Sequence, residues 1–145
     1  MSREGTSDDM TPERFAQGLT FPEYLAQMRS NRERFIRRLA EVEISPEDRE
    51  ALRGRVLKIL VITEDWCGDA LASFPALARL VEGVPGVEMR VFLRDTNPDV
   101  MDGYLKRGLY RTIPVFVLFD EHMNELARFM ERQDVVTELR TLLKV

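Results

Sequence analysis

The eight residues Val56-Leu57-Lys58-Ile59-Leu60-Val61-Ile62-Thr63 constrain the fold more than any other stretch of the chain. They are almost continuously apolar and rich in β-branched side chains. Such a run fits a central strand that is buried on both faces. A strand of that kind needs a covering layer on each side, so helices must lie above and below the sheet. Trp66-Cys67-Gly68-Asp69-Ala70 follows almost at once, and from Gly68 to about Glu82 the pattern is helical, with Pro75 inside it. Val87–Leu93 reads as a second strand. Asn97-Pro98-Asp99 caps a helix expected to run to about Arg107. Val115–Phe119 is a third strand, Asp120–Asn124 a turn, and Glu125–Phe129 its hairpin partner. A last amphipathic helix covers about Val135–Leu143. The order is β-α-β-α-β-β-α. Strand–helix–strand alternation favours parallel pairing by right-handed crossovers, and the hairpin adds antiparallel strands. The expected architecture is α/β, in three layers, with a mixed sheet of about four strands.

The region before the first strand has a different character. Residues 1–10 are small and polar without periodicity, and read as a flexible terminus. Residues 11–52 read as a helical extension packed on the domain, which itself spans 53–145. Thr11-Pro12-Glu13 and Thr20-Phe21-Pro22-Glu23 each put a capping Thr beside a Pro, and Thr20 with Glu23 fits a capping box. Phe21, Tyr24, Leu25, Met28, Phe35, Leu39 and Val42 recur largely on one helical face. Arg34, Arg37 and Arg38 fall on the polar side. Ser45-Pro46-Glu47-Asp48 opens another short helix.

Composition narrows the function classes. The 145 residues carry 21 basic and 25 acidic side chains, a net charge of -4. That balance gives no electrostatic reason to expect nucleic acid or an anionic membrane. No apolar run reaches the roughly 18 residues of a membrane span. The N-terminus lacks the apolar core of a signal peptide, so the expected location is the cytoplasm, where thiols stay reduced. A single Cys rules out an intrachain disulfide. One Cys and one His cannot build a zinc site from Cys and His pairs.

Trp66-Cys67-Gly68 at a strand–helix junction, Pro75 eight residues beyond Cys67, Asn97-Pro98, and Ile113-Pro114 before the third shared strand together resemble the thioredoxin family. The resemblance covers about residues 56–144. It implies a thioredoxin-like fold, a cis peptide bond before Pro114, and an active site at Cys67. Trp66, Gly68, Asp69, Ile113 and Pro114 would line it. The EDWCGDA stretch, Glu64–Ala70, resembles that of a group of small bacterial thioredoxin-like proteins. Four departures bear on function. The family's second active-site cysteine falls on Ala70. The intervening proline is Asp69. The buried acid six residues before the first cysteine falls on Val61. The glycine after the last strand is missing near Glu131.

The chemistry follows from these residue types. A helix N-terminus has unpaired N–H groups and a partial positive charge, and both favour a thiolate at Cys67. Asp69 in the same turn opposes this. Gly68 is expected to let the chain turn closely and leave the sulfur uncovered. Trp66 would shield one side. The Ile113 backbone would be free to pair with an extended substrate. Without a cysteine at position 70, a mixed disulfide must be resolved by an external thiol.

Two functions fit. One is a monothiol protein for thiol–disulfide exchange or redox homeostasis, with Cys67 as an exposed nucleophile. Its partners would be protein thiols or disulfides or a small thiol. It would need no cofactor beyond a low-molecular-weight thiol as reductant. The other is a non-catalytic thioredoxin-fold module that holds a peptide or protein in the groove beside Pro114. Whether the chain is an enzyme stays open between them, as does its oligomeric state. His122 reads as a solvated turn residue. Glu64-Asp65 reads as a solvated loop.

Overall fold

The computed structural model describes residues 10–131 and 133–143. The expected flexible terminus lies outside these residues, apart from Met10, which is buried. Four helices precede the first strand: α1 (Pro12–Phe15), α2 (Phe21–Gln27), α3 (Arg32–Glu41) and α4 (Pro46–Leu52). Then come β1 (Leu57–Thr63), α5 (Gly68–Val81), β2 (Val87–Leu93), α6 (Pro98–Met101), β3 (Val115–Phe119), β4 (Glu125–Met130) and α7 (Val135–Leu143).

The helix starts behave as their sequences dictate. Thr11, Thr20 and Ser45 each accept a hydrogen bond from the backbone N–H three residues on, and each is followed by a Pro in the first turn. Thr20 and Glu23 form the full capping box. Each cap satisfies donors that a helix leaves orphaned at its start.

The sheet order is β2-β1-β3-β4. β1 pairs in parallel with β2, antiparallel with β3, and β3 pairs antiparallel with β4. β1 is therefore central, as its continuous apolar run requires. Its alternate residues serve two cores. Leu57, Ile59 and Val61 join α5, α7 and helices α2–α4 on one face, with Phe74 at the centre. Leu60 and Ile62 join Phe15, Val100, Met101 and Tyr104 on the other. Val56 is half-exposed and stands outside the strand.

The free edge of β2 is partly covered by the chain between α1 and α2. Leu19 and Val91 exchange backbone hydrogen bonds of 2.8 Å in both directions. The Arg90 guanidinium donates to the Ala16 and Gly18 carbonyls at 2.8 and 2.9 Å. Gly18 has to be small here. A Cβ on it would lie 2.5 Å from Phe92 Cε1 and 2.9 Å from Arg90 Cβ. Gly18→Ala is therefore expected to cost about 1–3 kcal/mol by overpacking. Chemical denaturation reads this out; an unchanged midpoint would show that the edge yields freely.

The helix expected from Asn97 to about Arg107 ends at Met101, and a 3-10 turn, Asp102–Tyr104, follows. Asn97 holds the N-cap position, as expected, but its side chain makes no capping bond; its amide donates to the Leu93 carbonyl instead. Gly103 is a poor helix former, and the burial of Met101 and Tyr104 fixes the tighter turn. Arg107 and Gly108 then take positive φ, and Lys106 pairs with Tyr110 across a short turn. Near Glu131, where a glycine is missing, Glu131 itself adopts φ 59°. Its N–H donates to the Pro114 carbonyl at 2.9 Å, and its carboxylate pairs with Lys106.

α4 and α7 are joined by a two-pronged bond from Arg140 to Asp48, 2.8 Å on each arm. The Arg140 guanidinium holds the Asp48 carboxyl below the usual carboxylate range, against the smaller opposing effect of burial. A depressed folded-state value stabilises fully above the unfolded carboxylate range, near about pH 4. That stabilisation is lost as pH falls through the lower folded value. The thermal midpoint is expected to drop on acidification through this window. Asp48→Asn should start lower at neutral pH and lose less on acidification. Parallel acid-side slopes for the two proteins would contradict the assignment.

Candidate functional site

β1 ends at Thr63, and the chain turns through Glu64-Asp65-Trp66 into α5. Cys67 is the N-cap residue of α5, with φ −82° and ψ 118°. Its side chain makes no capping bond. The thiol instead points across to the segment before β3, where Sγ lies 3.6 Å from the Ile113 carbonyl oxygen. The Ile113–Pro114 peptide bond is cis. Ile113 and Pro114 are buried. Cys67 is only 8% exposed, which departs from the expected exposed nucleophile. It packs in the core that also holds Ala70, Ile113 and Val115.

The other expected site residues fall close by, with two changes of role. Trp66 is half-exposed, and the Arg94 guanidinium stacks 5.0 Å from its ring centroid. Arg94 also donates to the Arg111 carbonyl at 3.2 Å and pairs with Asp95. It thereby ties Trp66 to the segment that leads into Ile113. Gly68 is exposed, and a Cβ there would meet nothing within 4 Å. The expectation that Gly68 lets the chain turn closely and leaves the sulfur uncovered is thus corrected: open space surrounds Gly68, and the Cys67 sulfur beside it is buried. The Ile113 carbonyl already receives the Cys67 thiol, so it is not wholly free. The Ile113 N–H has no hydrogen-bond partner among the described residues. The Asp69 carbonyl accepts from Ser73 at 2.8 Å. Val61 is fully buried and Ala70 nearly so. His122 is exposed in the β3–β4 turn, remote from the thiol in the chain.

Glu64 and Asp65 are not a solvated loop. Asp65 Oδ2 accepts the N–H groups of Arg29 and Ser30 at 2.9 and 3.2 Å, and Asn31 donates to the Asp65 carbonyl at 3.1 Å. The carboxylate thus closes the α2–α3 connection, where Asn31 takes φ 61°. Glu64 Oε2 accepts the Asp95 N–H at 2.8 Å. Partial burial pushes the Glu64 carboxyl upward, against that hydrogen bond, and the Asp95 charge adds to the rise.

Tyr24 is the residue that periodicity marked as core and nothing more. It is fully buried, and its hydroxyl reaches the Thr63 side chain. Burial, helped by the Asp65 and Glu64 charges, pushes its phenol well above the usual tyrosine range, so it stays protonated. Thr63 in turn donates to the Glu64 carbonyl at 3.4 Å, and Cys67 N–H donates to the same carbonyl at 3.2 Å. The turn that carries Cys67 is therefore gripped from α2 at Tyr24 and from the α2–α3 connection at Asp65. Only the long-range fold reveals this, because Asp65 lies 34 to 36 residues from its partners. Among the described residues no group of three or more His, Cys, Asp or Glu side chains is placed to hold a metal.

A four-stranded sheet in this order, with a cysteine at the start of the helix after the central strand and a proline facing it, defines the thioredoxin-like class. The family model described as thioredoxin matches residues 18–144, and the chain belongs to that family. A protein of unknown function from Pseudomonas aeruginosa is similar, with TM-score 0.73 and 23% identity over 89% of this chain and 81% of that one. An HIV epitope scaffold has TM-score 0.71 and 21% identity over 92% and 88% of the two chains. Thioredoxin from Fasciola hepatica has TM-score 0.48 and 26% identity over 65% and 82%. A comparison with curated proteins gave no match. Among the described residues no helix is long and apolar enough to cross a membrane.

Proposed function

We propose that this chain is a cytoplasmic monothiol exchange protein with Cys67 as its nucleophile. The carrying observation is the placement of Cys67 at the N-cap of α5, its sulfur 3.6 Å from the Ile113 carbonyl. In the reaction the Cys67 thiolate attacks one sulfur of a disulfide. A new S–S bond forms to Cys67, the old one breaks, and the departing thiolate takes a proton. A second thiol from solution then attacks the substrate sulfur of the mixed disulfide; a new S–S bond joins those two, the bond to Cys67 breaks, and Cys67 leaves as the thiolate.

Trp66 and the segment ending in Ile113-Pro114 would form the two walls of the substrate groove. The unpartnered Ile113 N–H offers one backbone bond to an extended peptide. Leu109 and Tyr110, exposed on the turn before Ile113, add apolar surface beside it. We treat residues 11–52 as an extension that steadies the Cys67 turn through Tyr24 and Asp65.

The burial of Cys67 favours a second reading: a binding module that uses the same groove without turnover. Incubation with oxidised glutathione followed by mass spectrometry separates the two. Exchange predicts a glutathione adduct on Cys67, reversed by excess reduced glutathione and absent in Cys67→Ser. No adduct on the folded protein would leave the binding module as the better account.

A further inference from the structure

We infer that the exposed face of α3 is a docking surface for an acidic segment of a protein partner, which it would hold beside Cys67. The inference deepens the thiol-exchange reading, because it names the chemistry of the partner for that site.

The observation is a local imbalance of charge. Between Arg29 and Arg38 the chain has five arginines and one glutamate, although its net charge is -4. Elsewhere eight of the eleven described arginines form ion pairs with carboxylates, such as Arg14 with Asp99 and Arg140 with Asp48, and Arg49 and Arg55 donate to carbonyls. Among the described residues the guanidinium groups of Arg29, Arg34, Arg37 and Arg38 have no such partner, and all four residues are exposed. Arg34, Arg37 and Arg38 stand at i, i+3 and i+4 on one helix face. Like charges at that spacing destabilise a helix. Glu33 and Glu41 stand at i,i+4 from Arg37 and offset part of this repulsion, but among the described residues neither forms an ion pair with these arginines, and carboxylates from a partner would offset the rest.

One further feature bears on where a partner would lie. The N-terminal end of α3 adjoins the Cys67 turn, because Asn31 donates to the Asp65 carbonyl, next to Trp66.

The test uses the whole protein and a rhodamine-labelled peptide of alternating Glu and Ser, read by fluorescence anisotropy. A Lys-Ser peptide and a single-stranded oligonucleotide of equal length are the comparisons. The acidic peptide should bind more tightly than either. Its affinity should fall at least about tenfold as salt is raised to roughly 0.3 M, where the Debye length is only some 6 Å. The exposed triple substitution Arg34→Glu, Arg37→Glu and Arg38→Glu should weaken it at least as much. Release of thione from dithiodipyridine, a neutral probe of Cys67, should be unchanged in that variant, which also reports an intact site. Equal binding of the acidic and basic peptides, or tighter binding of the oligonucleotide, would overturn the inference. Failure of dithiodipyridine to react with the native protein would sink thiol exchange instead, and peptide binding would still decide the docking surface.

Discussion

Replacing Phe74 by alanine is expected to cost about 3–5 kcal/mol of stability, the usual loss when a fully buried Phe is truncated. Phe74 is 0% exposed and sits where the N-terminal helices meet the sheet. Its ring lies 5.6 Å from Phe21 and Phe35 in edge-on contacts, 5.8 Å from Tyr24, and 5.9 Å from Phe116 on β3. Such pairs contribute about 0.5–1.5 kcal/mol each beyond the area they bury. Domains of this size have only about 5–15 kcal/mol in total, so at least about a fifth of the stability is lost. Phe74→Leu, which keeps most of the volume, should lose much less. Guanidinium denaturation measures both. A loss under about 1 kcal/mol for Phe74→Ala would mean that the helices before β1 pack elsewhere.

Ala70→Cys is expected to add the resolving step that the native chain lacks. Ala70 lies three residues past Cys67 in the first turn of α5 and is 3% exposed. The native chain should stop at a mixed disulfide until an outside thiol arrives. With a thiol at position 70, that sulfur attacks the Cys67 sulfur, an intrachain S–S bond forms, and the bound substrate leaves as a thiolate. The variant should therefore release substrate without added thiol and be recovered with an intrachain disulfide. Fitting the larger side chain at a closed position should cost roughly 1–3 kcal/mol. A variant that accumulates the same mixed disulfide as the native chain would show that Cys67 and position 70 do not face each other.

The parts of the fold that were legible in the chain are those set by local chemistry. The apolar run at Val56–Thr63 announces a central strand, because a strand buried on both faces has no polar side to show. The Thr-Pro and Ser-Pro starts announce helices, because cap and proline act within a single turn. Trp66-Cys67-Gly68 locates the helix start that carries the thiol. Long-range partners were not legible. Asp65 looks like a loop acid until the α2–α3 connection folds back to donate three hydrogen bonds to it. Tyr24 looks like an apolar stripe residue, and only the packing of α2 under β1 gives its hydroxyl a role. Arg94 has no signature at all, since its place over Trp66 depends on β2 lying beside β1. The helix after Asn97 reads longer in the sequence than it is, because a run of permissive residues hides the turn that Met101 and Tyr104 enforce by burial.

The central claim is that Cys67 is a working thiol despite its 8% exposure. The direct measurement is thione release from dithiodipyridine by the folded protein at neutral pH, with Cys67→Ser as the blank. The account predicts prompt release of one thione per chain under native conditions, and none from the variant. Release that appears only after denaturation would contradict it, and would make Cys67 a packing residue of the core beneath Ile113.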